Sequence, residues 1–449
     1  MKAGFAKFDI TPRVGVSMGG FGPFLNRNST FVRDRLEARA AAFESPDGGK
    51  AIIISCDLTP MAPETALLAR EVIAEKLPEF CREEILVTVT HTHSAPAVVA
   101  NNVGWGVADL PYLQILPYKV AQAGIDAWNR REEVTVSTAR VPCRHIGLNR
   151  VYDKDAPPLE EVLDDNWEPA KPELTDTECQ VNRFDDRQGV LKGFIVNFGC
   201  HAVVCCQKCR YLHGDYPGIA IHSVMREHPG SVGVFLQGAE GDVNSCVVHK
   251  PEQESLLALD IIAGRFARAI RDGLAKAEQI DADRVKTAFA TVEFATEKSW
   301  DEPALLEKKR EIDAVLNRAD ASDDDKEVRM NTVYRTGLEK LLKLLRSGAN
   351  TNIVANVYAV KVGPLEFLGA PFEIMQAIKN DVVSGAKAPF PMILSLCNGS
   401  LGYAPDQQSI DQADSYAATR IPLMQGRFPY ADIHRELVET FLRLDAILY

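Results

Sequence analysis

Residues 51–57, AIIISCD, lead into APETALLAREVIAEKL at 62–77 and then into EILVTVTHTH at 84–93. The first and third are short runs rich in β-branched residues, whereas the second carries apolar residues at helical spacing, so the order predicts strand, helix, strand. The same alternation continues outward. A helical stretch from Leu110 to Arg131 is followed by EEVTVSTARV, then by LKGFIVNFGCH at 191–201, a turn HGDYPG, a short helix near Ile219 to Arg226, and SVGVFLQ at 231–237. An amphipathic helix is expected from Ser255 to Glu278, a hairpin over 352–369, and a last apolar run, FPMILSLCN, ending at Asn398. The class is therefore α/β.

Polar residues gather just beyond these runs: Asp57, His91 and His93, His201, Gln237 to Asn244, Glu373, and Asn398 to Tyr403. In open α/β sheets the ligand crevice lies beyond the carboxyl ends of the strands, so one shared site is expected there. The chain of 449 residues is 46% hydrophobic and 25% charged, enough for a large core. One large domain over 1–449 is expected, with an irregular, proline-rich excursion at 143–178. A charged helical insertion at about 300–348, broken near ADASDDD, is given only the role of a solvated face.

The formal charge of −12 argues against a polyanion binder, because backbone-phosphate affinity needs clustered Lys and Arg; no nucleic-acid partner is expected. MKAGFAKFDITPRVGVSMGG lacks a continuous apolar segment, and no stretch approaches the ~20 apolar residues of a transmembrane helix. Several of the ten cysteines (Cys56, Cys200, Cys397) lie in apolar runs, so a reducing, cytoplasmic setting is expected. The group Cys200, Cys205, Cys206, Cys209 with His201 and His213 lacks paired CxxC knuckles and reads as reduced thiols in preference to a structural zinc site. GFGPF at 20–24 lacks the strand-to-helix context of a phosphate loop.

His91 and His93, two apart at a strand end, would point to one face. His201 ends another strand and Glu373 is expected in the first turn of a helix. Zinc hydrolases combine imidazoles with a carboxylate and keep a position open for water. Asp57 and Asp215 are either partners that orient the histidines or ordinary turn and cap residues.

THTHSAP (90–96), VNFGCHAVV (196–204), GAEGDVN (238–244), GAPFE (369–373) and GSLGYAP (399–405) occur in the order of the signature segments of the neutral/alkaline, non-lysosomal ceramidases, which the chain resembles. The resemblance implies a single α/β domain with a large mixed sheet flanked by helices and Zn2+ bound by His91, His201, Glu373 and Tyr403. It also implies His93 beside the metal, Arg150 (in GLNRVY) as an oxyanion or substrate contact, and Tyr416 near the leaving group. Where that family carries a serine after GDV, this chain has Asn244, with Ser245 one place later. The resemblance covers the catalytic domain without the C-terminal immunoglobulin-like domain of full-length ceramidases. The expected reaction is metal-assisted hydrolysis of an amide in a small-molecule or lipid-like substrate, one smaller or more polar than ceramide. An ester or glycosidic bond is the alternative within the same site, and a ligand-binding relative without catalysis is the alternative outside enzymology. Oligomeric state is not readable from the sequence.

Overall fold

The computed structural model describes residues 1–100, 102–153 and 157–449. Its largest sheet runs in the order Val232–Gln237, Leu191–Phe198, Glu178–Asp186, Glu132–Pro142, Lys2–Asp9, Glu37–Glu44, Lys50–Cys56, Ile85–Val89, with Glu278–Ile280 also pairing on Glu132–Pro142. The sheet is mixed. Lys50–Cys56 is parallel to Ile85–Val89 and Leu191–Phe198 to Val232–Gln237, while the central pairings are antiparallel. A second sheet orders Val285–Phe294, Ile353–Val362, Leu365–Gly369 and Phe390–Leu394.

Strand periodicity decides what each face meets. In Lys50–Cys56, Ile52 and Ile54 pack with helices Pro63–Lys76 and Leu110–Asn129, whereas Ile53 joins a core shared with Tyr358, Val360 and Phe367 of the second sheet. Both faces of the run are thus covered, which is why AIIISC is continuously apolar and not alternating. Helices Asp215–Glu227 and Glu252–Lys276 cover the Leu191–Phe198 half. Helix Ile433–Leu448 covers the outer face of the second sheet. Four layers result: helices, large sheet, small sheet, helices.

The hairpin over 352–369 and the broken pair of charged helices, Glu302–Leu316 and Lys326–Arg346, form as expected. Two expectations need correction. The helix after HGDYPG starts inside that motif, at Asp215, and Glu373 lies before its helix, which begins at Gln376; Glu373–Ile374 instead bridges in parallel to Tyr403–Ala404. The excursion at 143–178 holds a short strand, Gly147–Asn149, paired with Val243–Ser245; its residues 154–156 lie outside the described residues. Among the described residues, no helix is long and apolar enough to cross a membrane.

At one edge of the future site, Arg39 is buried between Asp57 (2.9 Å) and Glu37 (3.1 Å), and Glu37 also meets His222 at 3.0 Å and Lys7 at 2.7 Å. Burial alone would raise the Glu37 carboxyl, but these partners outweigh it and hold it at about 2. A depressed folded value stabilises above the unfolded value and is lost as pH falls toward the folded one. Glu37→Gln should therefore cost on the order of 3 kcal/mol near neutrality. The difference from wild type should shrink between about pH 4.5 and 2, measured by urea unfolding across pH.

Candidate metal centre

Strand Ile85–Val89 ends two residues before His91, so the H-x-H pair sits in the following turn and not on the strand. Its convergence comes from backbone, since His91 has a left-handed φ of 60°, a conformation that costs a non-glycine residue and marks functional sites. His91 donates its Nδ1–H to the carbonyl of Thr59 at 2.8 Å; His201 donates to the carbonyls of Glu240 at 2.6 Å and Val243 at 3.2 Å. A carbonyl can only accept, so both Nδ1 atoms carry protons, and in the neutral form of each ring the Nε2 atom presents a lone pair.

Those lone pairs face one carboxylate. Glu373 Oε2 lies 3.6 Å from His91 Nε2 and 3.3 Å from His201 Nε2, and it is buried without a hydrogen-bond partner. His93 Nε2 stands 3.3 Å from His91 Nε2, and the three imidazoles each offer a ligand atom within 4.8 Å of the others. Burial pushes His91 down to about 4 and His93 well below its usual range, so these rings are neutral near pH 7. Burial would raise Glu373, but positive charge on its imidazole side, together with Arg150, outweighs that and holds it at about 2, as an anion; with the rings neutral, that charge is what a bound cation would supply. Lone pairs turned on an unpartnered carboxylate repel unless a cation lies between them, and this donor set suits a divalent metal.

Tyr403 joins through its bridge to Glu373, beside the Glu373 N–H to Gly402 carbonyl bond of 2.9 Å. The Arg150 guanidinium lies 5.1 Å from the Tyr403 ring and 5.6 Å from that of Tyr416, and it bonds the Gly241 carbonyl. Arg150 follows strand Gly147–Asn149, which is tied down by Asn149 to Asp242 at 2.7 Å; Asp242 also accepts the Gln376 N–H at 2.8 Å. Burial lifts Asp242 to about 6.

Two cavities meet at this centre. The smaller, about 670 Å³, reaches His91 and Glu373; the larger, about 1470 Å³, reaches His201, Arg150 and Asn244. His93, Tyr403 and Tyr416 border both, with Tyr416 part-exposed at the junction. Asn244 faces the larger cavity, whereas Ser245, the next residue on the strand, is fully buried away from it. Strand alternation therefore prevents Ser245 from taking the place of the family's serine.

Neither aspartate touches a site histidine. Asp57 binds Arg39 and the Glu37 N–H, acting on His91 only through the segment that supplies the Thr59 carbonyl. Asp215 accepts the N–H groups of Val204, Cys205 and Tyr216. The charged insertion is more than a solvated face: Val333 and Thr336 line the smaller cavity, Met330 and Tyr334 the larger. Sequence reasoning also passed over Glu240. It is fully buried with both carboxyl oxygens unpartnered, and burial, with Glu373 nearby, raises it well above the usual range. Its position in GAEGDVN was the available signal.

Cys205, Cys209 and His213 form a second group whose ligand atoms lie within 4.8 Å of one another. Here the tautomer runs the other way. His213 Nδ1 accepts the Asp215 N–H at 3.1 Å, which leaves the proton on Nε2 and makes that edge a donor, not a ligand. Cys205 and His213 together lower the Cys209 thiol, consistent with a hydrogen-bonded thiolate.

A mixed α/β sheet whose loops gather imidazoles around a carboxylate presents a candidate metal-binding group. The model of the family described as neutral/alkaline non-lysosomal ceramidase, N-terminal, matches residues 1–255, and the chain belongs to that family. Neutral ceramidases B and A of Dictyostelium discoideum are each 23% identical over 47% of this chain and 31% of their own length, so the matched region spans about a third of those relatives. The crystal structure of neutral ceramidase from Pseudomonas aeruginosa superposes with a TM-score of 0.73 at 17% identity, covering 99% of this chain and 74% of the other. A ceramidase complexed with C2 gives 0.74 at 16% identity, covering 100% and 75%.

Elemental analysis of protein purified without chelator should find about one metal per chain. His201→Ala should lose it, and Cys209→Ser should keep it.

Proposed function

We propose that the chain is a zinc-dependent hydrolase cleaving an N-acyl amide bond, with residues 1–449 acting as one catalytic domain. The observation that carries this is the convergence of two Nε2 lone pairs and the unpartnered Glu373 carboxylate. His91, His201, Glu373 and Tyr403 would hold the ion. When bound, it supplies a lowered pKa for water and polarisation of a carbonyl.

The chain's own groups do the rest. Arg150, fixed over two phenol rings and bonded to Gly241, places a permanent cation where negative charge develops on the scissile carbonyl oxygen. His93 is the first group for proton transfer, since its buried Nδ1 has no hydrogen-bond partner and so leaves a site open to a proton. Tyr416, at the junction of the cavities, is the second group for proton delivery to the leaving amine. Asn244 has no ionisable proton, so it can orient substrate by hydrogen bonds but cannot act as a nucleophile.

The relatives' names point to ceramide. Within the reading of a smaller or more polar substrate, the charged side chains Lys308, Glu311 and Lys326 on the wall of the larger cavity support the more polar one. A cytoplasmic setting belongs to the same proposal and is supported by buried thiols used as small hydrophobes.

Screening matched amides, esters and glycosides should reveal amide cleavage that is lost in His91→Ala. Arg150→Met should lower kcat by roughly 10²–10³ with a smaller change in KM. Preference for an ester or glycoside would change the bond assigned. Bound metal with no turnover of any class would favour a ligand-binding relative, the reading that Asn244 supports.

A further inference from the structure

The smaller cavity is apolar along much of its wall, through Val98, Trp105, Val333 and Ile421, yet among the described residues two cationic side chains reach it, Lys340 and Arg427. We propose that Arg427 and Lys340 form an oxyanion subsite for a carboxylate carried by the amide substrate, an inference that rests on the hydrolase reading above.

Arg427 follows the short helix Ile421–Gln425, and its N–H donates to the Pro422 carbonyl at 2.9 Å. Its side chain donates to Gln425 Oε1 at 3.3 Å, and among the described residues no carboxylate lies within ion-pair distance of it. The guanidinium lies against the chain one residue before Tyr403. A Cβ at Gly402, whose φ is +87°, would fall 3.7 Å from Arg427 Nη1 and 3.0 Å from Gln425 Oε1, so glycine there permits the approach.

Lys340 comes from helix Lys326–Arg346, and its stem covers Gly426, where an added Cβ would sit 3.0 Å from its Cβ and Cδ. Like Arg427, it has no ion-pair partner among the described residues. Among the described residues the cavity's two carboxylates are Glu373, which faces the histidines, and the exposed Glu64, and neither pairs with Arg427.

A half-buried guanidinium without an acid is left uncompensated, and burial does pull Arg427 down. In a chain of net charge −12, an Arg and a Lys that both line this cavity without an ion-pair partner among the described residues are suited to an incoming anion. The planar fork of a guanidinium matches a carboxylate, and the apolar wall beside it suits the rest of such a substrate.

The test compares kcat/KM for N-acyl derivatives of glycine, β-alanine and γ-aminobutyrate, and for N-succinyl amines, with length-matched N-acyl amino alcohols. Wild type should prefer the carboxylates. Arg427→Gln should reduce the carboxylate-to-neutral ratio about tenfold or more, mostly through KM, and Arg427→Lys should restore part of it. Lys340→Gln, at an exposed position, should reduce the ratio by a smaller factor and serves if Arg427→Gln fails to fold. A ratio unchanged in both variants overturns the subsite while leaving the hydrolase reading intact.

Calorimetry of octanoate and octyl phosphate binding to the protein as purified separates the remaining cases. Octanoate binding weakened by Arg427→Gln supports the subsite even if no amide is cleaved, in which case it is the hydrolase reading that falls. Tighter, Arg427-dependent binding of octyl phosphate would overturn the carboxylate assignment.

Discussion

Two backbone carbonyls govern this molecule. Those of Thr59 and Glu240 accept the Nδ1 protons of His91 and His201, and that choice of tautomer is what turns two Nε2 lone pairs on Glu373. Carbonyls held by the fold are a rigid form of support for ligating imidazoles. Each is itself secured: Thr59 follows the segment anchored by Asp57 and Arg39, and Glu240 lies in the loop where Asp242 joins Asn149 to Gln376. The large sheet supplies the loop origins, and buried polar bonds set their final course.

The contrast with His213 shows how much one hydrogen bond decides. Its Nδ1 meets a backbone donor where His91 and His201 meet acceptors, so the same residue type presents a proton in one cluster and a lone pair in the other. Composition and spacing cannot separate these cases, because the deciding partners are main-chain groups.

That limit explains which parts of the structure were legible in the sequence. Continuous β-branched runs such as AIIISC and ILVTV announce strands covered on both faces, and Glu252–Lys276 follows its apolar period. EARAAAFE, which forms Glu37–Glu44, gives little warning, since alanine carries no strand preference and owes its place there to packing. At the site, His91, His201 and Tyr403 are marked by their place after apolar runs. The left-handed turn at His91, the backbone acceptors and the bridge that holds Glu373 ahead of its helix are not, because they arise from tertiary pairing. The charged helices resemble a solvated face since one side does meet water, but part of the other meets a cavity instead of a core.

Helix Lys326–Arg346 divides its inward residues between the two cavities, Met330 and Tyr334 to one side, Val333 and Thr336 to the other. Point substitutions there can retune the fit of one end of a ligand while sparing the other. A shift of the whole helix along its axis would instead change both ends together. Divergence of this chain toward new ligands thus has two routes, a local one through side chains and a concerted one through the seating of a single helix, and neither needs to disturb the histidines beneath it.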